Sequence, residues 1–206
     1  MVAQQLRARG IRDERVLDAM AKVPRERFIA DTQRPWAYAD EALPIESGQT
    51  ISQPYIVARM TELLAPKRGD RVLEVGTGSG YQAAVLATLG AHVLSLERHA
   101  DLAETARARL ADLGLSDLVE VRVADGSLGA PGDAPFTGII VTAAAPAIPD
   151  SLREQLADGG RMVIPVGTRR EQELMLVVRH GDEWREYPDG PVVFVPLVGE
   201  EGFDPG

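Results

Sequence analysis

Arg71-Val72-Leu73-Glu74-Val75-Gly76-Thr77-Gly78-Ser79-Gly80-Tyr81 is the stretch that decides the fold. Residues 71–75 form a short apolar run behind Gly69-Asp70, which reads as a strand. The glycines end it, and the aliphatic run to about Leu89 reads as a helix. In open α/β sheets ligands bind at the carboxyl ends of strands, near the topological switch point. Glycines there permit a tight turn and let a ligand approach bare backbone. The spacing is G-x-G-x-G. A dinucleotide fingerprint needs G-x-G-x-x-G, and Tyr81 stands where its third glycine would be. The competing reading is a glycine-rich turn without a ligand, which the strand–turn–helix context disfavours.

Downstream the alternation continues. Ala91–Glu97, Leu118–Val123, Phe136–Thr142 and Arg161–Val166 read as strands, with helices at Leu102–Leu113 and Ser151–Leu156. Strands that are nearly continuously apolar imply a parallel sheet covered on both faces. Leu174–Arg179 and Val192–Val198 are strand-like with no long helix between them, and predict an antiparallel C-terminal strand pair. Upstream, Asp13 is a candidate N-cap for a helix carrying Val16, Leu17, Met20 and Val23. Residues 30–50, with Pro35, Pro44 and Gly48, read as an extended loop. Pro54 suits the first turn of a helix with a stripe of Ile56, Val57, Met60, Leu63 and Leu64. The expected fold is one doubly wound, mostly parallel, Rossmann-like α/β domain over 1–206. A helical and substrate-loop segment (1–65) covers a cofactor-binding core (70–166), and the C-terminal strands fill 167–206.

Composition narrows the functions. The net charge of −9 over 206 residues argues against a nucleic-acid partner. Arg7, Arg9, Arg12, Arg15, Lys22, Arg25 and Arg27 outnumber the acids of the first thirty residues, a pattern read as a solvated helix face. The absence of cysteine excludes disulfides, thiolate zinc sites and thiol nucleophiles. His92, His99 and His180 show no metal-ligand spacing, so no metal is expected. No apolar run is long enough for a membrane span, and arginines interrupt the N-terminus where a signal region would lie. A cytoplasmic monomer is expected.

Two further loops lie at strand ends. Glu97 closes the second strand, where a carboxylate accepts both hydroxyls of a ribose; alone it would read as a solvated strand end. Asp125-Gly126 lies just after the third strand. It suits an exocyclic adenine amine with room for the ring, or else an ordinary Asp-Gly turn. With the glycine turn, these loops resemble the class I S-adenosylmethionine-dependent methyltransferases over residues 70–166. The resemblance implies S-adenosyl-L-methionine as cofactor, held by Glu74, Gly76, Thr77, Gly78, Gly80, Glu97, Arg98, Asp125 and Gly126.

The segment after the fourth strand bears on the acceptor. Thr142-Ala143-Ala144-Ala145-Pro146 is small and largely apolar, unlike the Asn/Asp-Pro-Pro-aromatic motif of many amino-group methyltransferases. It offers no evident base. A hydroxyl acceptor normally needs one, whereas a carboxylate, with a pKa of roughly 4, is already ionised at neutral pH.

Leu43-Pro44-Ile45 and Gly48-Gln49-Thr50-Ile51-Ser52-Gln53-Pro54-Tyr55 resemble the signature segment of the protein-L-isoaspartate O-methyltransferases. Val23-Pro24-Arg25-Glu26-Arg27-Phe28, Val141–Pro146, Ile164-Pro165-Val166-Gly167 and Phe194-Val195-Pro196-Leu197 extend the likeness over nearly the whole chain. The resemblance implies methylation of L-isoaspartyl residues in damaged proteins and peptides. It gives Ser52 the main catalytic role and places Thr50, Ile51 and Ser52 at the cofactor. Thr50, Ser52, Val195, Pro196, Leu197 and Val198 are placed around the substrate, and Gln172 at the cofactor. Ser52 also suits a helix N-cap, worth about 1 kcal/mol. Glu46 stands where the family usually has glycine; if that position needs a positive φ, the loop is altered, and an extra negative charge lies beside a carboxylate site. The rival functions are methylation of RNA or a small molecule, a non-catalytic cofactor-binding module, and a nicotinamide oxidoreductase.

Overall fold

The strand expected at 71–75 lies at the middle of the main sheet in the computed structural model, which describes residues 1–204. In chain order the elements are α1 (Glu14–Lys22), β1 (Leu43–Pro44), β2 (Thr50–Ile51), α2 (Pro54–Leu64), β3 (Arg71–Val75), α3 (Tyr81–Thr88), β4 (His92–Glu97), α4 (Ala100–Asp112), β5 (Val119–Val123), β6 (Phe136–Val141), α5 (Asp150–Glu154), β7 (Leu156–Gly167), β8 (Gln172–His180) and β9 (Glu183–Val192). The sheet order is β5-β4-β3-β6-β7-β8-β9. The first five of these strands are parallel, and β8 and β9 are antiparallel. From β3 the chain winds outward through β4 to β5 and then crosses to β6 on the other side. The switch point therefore falls at the carboxyl end of β3, where the glycines are.

Strand periodicity divides the core. Val72, Val93, Ile140 and Val163 face a layer that includes Met20, Phe28, Val57 and Leu86. Leu73, Val75, Leu96, Ile139, Val141 and Ile164 face the opposite layer with Leu152, Leu156 and Leu197. Both faces are covered, as the unbroken apolar strands demand. No helix among the described residues is long and apolar enough to cross a membrane.

The Asp13 carboxylate accepts from the Arg15 amide at 2.9 Å, so α1 is capped as expected. Pro54 occupies the first turn of α2, and Val57, Met60 and Leu64 are buried while Ile56 and Leu63 are half-buried. The cap position belongs to Gln53, whose side chain makes no capping bond. Ser52 lies one residue outside the helix, and its expected capping role is corrected: Pro54 sets the helix start one residue later.

Residues 30–50 are more ordered than an extended loop. A 3₁₀ turn spans Asp31–Trp36, and β1 pairs with β2 in the register Leu43↔Ile51 and Pro44↔Thr50. The fully buried Arg25 donates through Nε to Ala37 O at 2.8 Å and through Nη2 to Glu41 O at 3.4 Å. A buried side chain thus satisfies carbonyls that the irregular backbone leaves open.

At the C-terminal end β8 lies where expected, but its partner is Glu183–Val192, not Val192–Val198. The charged run at 183–189 pairs through its backbone and leaves its side chains largely exposed, as an edge strand allows. The apolar Val193–Val198 run leaves the sheet edge. It crosses the strand ends, where Ala144 N donates to Val195 O at 2.8 Å and Leu197 N to Ala144 O at 2.7 Å.

Candidate active site

An open cleft with about 990 Å³ of free space lies over the carboxyl ends of β3, β4 and β6. Thr50, Ile51, Ser52, Gly76, Thr77, Gly78, Glu97, Arg98, Gly126 and the whole Val195–Val198 segment line it. Four other residues assigned to the site from sequence do not: Glu74, Gly80, Asp125 and Gln172.

The floor is the glycine turn. Gly76 has φ +95°, and a Cβ there would meet Thr142 Oγ1 at 2.4 Å. Thr142 Oγ1 lies 2.5 Å from Gly76 O and 3.1 Å from Val75 O, so the hydroxyl ties the end of β6 to the turn. Gly76 N and Thr77 N both donate to Leu96 O, at 2.8 and 3.2 Å. Glu97 is buried at the end of β4; its two oxygens accept from Gly78 N at 2.9 Å and His99 N at 3.0 Å. An ionised carboxylate has about four acceptor sites, so capacity remains for the hydroxyls of a ribose. Gly126 completes the wall: a Cβ would lie 2.5 Å from Val75 Cγ1, so a side chain there has no room.

The four residues outside the cleft serve other purposes. Glu74 is fully buried beneath the turn, where Ser95 Oγ donates to it and Thr77 Oγ1 lies 2.6 Å from Ser95 Oγ. Burial pushes its carboxyl up to about 8; the Ser95 bond opposes this and the nearby Glu97 charge adds to it. Strand alternation sends the side chain into the core instead of toward a ligand. Gly80 has φ +89°, and its missing Cβ lets α4 approach, since a Cβ would lie 3.3 Å from Ala106 Cβ. Asp125 is taken up by its own chain. Oδ1 accepts from Ser127 N at 2.9 Å and Ser127 Oγ at 2.7 Å, and Oδ2 from Glu200 N at 2.8 Å. Burial would raise its pKa, but these bonds and Arg98 outweigh that and hold it low. Gln172 clamps Phe194, donating through Nε2 to Phe194 O at 3.1 Å and accepting from Phe194 N at 2.6 Å. It orients the Val195–Val198 wall from behind without touching the cleft.

Glu46 is likewise corrected. The positive φ values fall on Ser47 (55°) and Gly48 (67°), not on Glu46. Its carboxylate lies 3.5 Å from Arg109 on α4, and Ser47 Oγ donates to Asp101 at 2.5 Å. The extra charge is paired away from the cleft and helps to dock the loop on α4. Among the cleft residues that carry no role from sequence are Thr142, Tyr81 and His99. Thr142 is visible in the sequence as the polar first residue of the motif after the fourth strand. Tyr81 is visible as the residue displacing a third glycine. His99 has no sequence signal beyond its place two residues after Glu97.

Ser52 lines the cleft and also a second, adjoining groove, so it stands at their junction. Among the described residues its hydroxyl has no protein hydrogen-bond partner. The titratable side chains that line the cleft are Glu97, Arg98 and His99 at the β4 end and the buried Tyr81 at the start of α3. Thr50, Ser52 and Thr142, shared with the groove, supply hydroxyls but no base.

The doubly wound sheet, the G-x-G-x-G turn after β3 and the acid closing β4 are the arrangement of the class I S-adenosylmethionine-dependent methyltransferases, which the comparisons with known proteins identify. The chain matches the model of the family described as Protein-L-isoaspartate(D-aspartate) O-methyltransferase (PCMT) over residues 1–202, and it belongs to that family. A Methylorubrum populi protein-L-isoaspartate O-methyltransferase is 58% identical over 199 residues, covering 96% of this chain and 93% of the relative. A solved protein-L-isoaspartate O-methyltransferase superposes with a TM-score of 0.86 at 28% identity, covering 95% of this chain; this chain spans 64% of that one. A Plasmodium falciparum structure of the same family, in complex with S-adenosyl-L-homocysteine, gives a TM-score of 0.81 at 26% identity and covers 96% of each chain.

Proposed function

We propose that this chain transfers the methyl group of S-adenosyl-L-methionine to the α-carboxylate of L-isoaspartyl residues in damaged proteins and peptides. The observation that carries the reading is the Ser52 hydroxyl, without a protein hydrogen-bond partner among the described residues, where the cleft meets a groove that contributes hydroxyls and one arginine but no carboxylate or histidine. The residues fit the cofactor. Glu97 has acceptor capacity left for a ribose, and Gly76, Gly78 and Gly126 leave bare backbone where any Cβ would be strained or would collide.

When bound, S-adenosyl-L-methionine supplies an activated methyl group on a sulfonium. The chain supplies binding and geometry. Glu97, Arg98 and the Gly76–Gly78 backbone hold the nucleoside end, and Ser52 donates a hydrogen bond that orients the acceptor carboxylate. Ile51 and Leu197, both nearly inaccessible, keep water from the reacting pair. Positioning two reactants in line contributes several kcal/mol without proton transfer, which suits an acceptor already ionised at neutral pH. The ester carbonyl can expel methoxide, released as methanol, where the carboxylate had no such leaving group. The substrate's own backbone nitrogen closes a succinimide, whose hydrolysis returns part of the material as L-aspartate.

The proposed unit is the single chain acting as a monomer in the cytoplasm, with proteins rather than nucleic acids as partners. Sedimentation and cell fractionation test the assembly and the compartment. The activity is tested with cofactor labelled in its methyl group and an L-isoaspartyl peptide. Label that mild base releases as methanol supports the reading, and base-stable label in an amine, RNA or small molecule overturns it.

A further inference from the structure

The groove that shares Ser52 with the cleft has a composition of its own. It also shares Thr50, Thr142 and Val195 with the cleft, and runs outward past Tyr55 and Pro191–Phe194. Its walls mix apolar side chains with the polar ones of Thr50, Ser52, Gln53 and Thr142, and Val193 is 78% exposed, the most open large hydrophobic side chain among the described residues. One charged side chain lines it, that of Arg9.

Arg9 is held in place from two sides. Its guanidinium carbon lies 3.6 Å from the centroid of the Tyr55 ring, so stacking fixes the plane. Asp40 pairs with one edge, and Asp40 is itself fixed by the Tyr55 amide at 3.0 Å and by Gln53 Nε2 at 3.3 Å. The guanidinium carries five donors in a rigid fork, and the Asp40 contact uses a single nitrogen. The remaining edge is free, and the side chain is 47% exposed. Orienting an arginine this firmly beside an open channel prepares it for a planar anion entering along that channel.

We propose that Arg9 is a specificity-determining residue that binds a second carboxylate of the substrate, one flanking the isoaspartyl residue. This rests on the assignment of the cleft to isoaspartyl methylation. The peptide extends from Ser52 into the groove, lays its backbone against Val192–Val195, and presents an Asp or Glu side chain or a free chain terminus to Arg9. Charge complementarity selects this occupant: Arg9 is the only charged side chain that lines the groove, its Asp40 partner engages one nitrogen, and a carboxylate is the group that uses the donors left over.

The test measures kcat/KM for three isoaspartyl peptides of equal length: neutral flanks with an amidated terminus, one added Glu with an amidated terminus, and neutral flanks with a free terminal carboxylate. The two anionic peptides separate a side-chain source from a terminal one. At low salt at least one of them is preferred over the neutral peptide by about three- to fivefold, through KM, as expected for a half-exposed ion pair. The preference shrinks at high salt. R9Q brings the ratio to about 1, and R9K, which keeps the charge, retains part of it. Because the neutral peptide is the internal reference, partial misfolding lowers all rates and leaves the ratio readable. Equal kcat/KM values for the three peptides in the wild type, or a preference that survives R9Q, overturn the proposal. Failure of all three isoaspartyl peptides to be methylated overturns the functional assignment beneath it, a different result from methylation without preference.

Discussion

The Gly78 amide donates to the Glu97 carboxylate at 2.9 Å, so the glycine turn and the buried acid closing β4 are tied together across β3 and β4. Glu97→Ala then removes both a ligand acceptor and the partner of two amides. Cofactor-product affinity should fall about 10- to 100-fold, the equivalent of a charged hydrogen bond of about 1.5–3 kcal/mol. Stability should fall as well, because the Gly78 and His99 amides lose their acceptor. Calorimetric titration with S-adenosyl-L-homocysteine and a denaturant melt read the two effects, and unchanged affinity would remove Glu97 from the site.

Ser52→Ala separates catalysis from folding. Gln53 holds the cap position of α2, and the Ser52 hydroxyl has no protein hydrogen-bond partner among the described residues. The variant should keep its stability within about 0.5 kcal/mol, as an unengaged surface position does, and bind cofactor normally while turnover drops. A loss near 1 kcal/mol with normal turnover per folded molecule would return Ser52 to the role of a cap.

Glu74 gives a pH signature. Burial raises its folded-state pKa to about 8, from an ordinary carboxyl value of 4.5 in the unfolded chain. Below the unfolded value both states hold the proton and the contribution to stability is complete. As pH rises toward 8 the unfolded chain has lost its proton and the folded chain has not, so stability falls, by at most about 1.4 kcal/mol per pH unit. Glu74→Gln has no such titration. Relative to wild type it should become progressively more stable between pH 5 and pH 8 in urea melts. A difference between the two proteins that is constant over that range would show that Glu74 does not titrate in the window.

Gln172→Ala tests a positioning residue. Both its side-chain bonds end on the Phe194 backbone, one residue before the wall of the cleft. Losing them should raise KM for the peptide more than it changes cofactor affinity, at a stability cost of about 1–3 kcal/mol for the orphaned groups. Equal effects on peptide and cofactor would mean a global loosening.

The legible part of the sequence is local. The β3–glycine turn–α3 unit, the Asp13 cap and the Pro54 helix start depend on neighbours within a few residues, where pattern and turn chemistry act. Glu74 groups with the cofactor loop in sequence because a motif reads as a unit, whereas the structure buries its side chain beneath the turn, outside the cleft lining. The last strand is displaced from its expected place because apolar content is a poor proxy for strand content. The charged 183–189 run forms the edge strand through backbone bonds, which side-chain patterns report poorly. Gln172 with Phe194, Asp125 with Glu200 and Arg9 with Asp40 meet across 22, 75 and 31 positions, where one sequence carries no signal for the pairing.

Selectivity for the damaged isomer is the most demanding consequence of the site. An L-isoaspartyl peptide and the same peptide with L-aspartate carry equal charge, so the field of Arg98 or Arg9 cannot distinguish them. They differ by one methylene, in the main chain of the damaged form and in the side chain of the normal one. Discrimination must therefore come from two fixed points: the groove wall at Val192–Val195, which sets the backbone, and Ser52, which sets the carboxylate. With the backbone seated, the normal isomer's carboxylate is displaced by about a bond length, and a misplacement of ~1 Å costs about 100-fold in rate. The Ser52 hydroxyl would also go unpaired, which adds to the difference. Initial methylation rates of the matched pair at equal concentration should differ by at least about 100-fold in favour of the isoaspartyl form. Comparable rates on the two would contradict a repair function even with methyl transfer demonstrated.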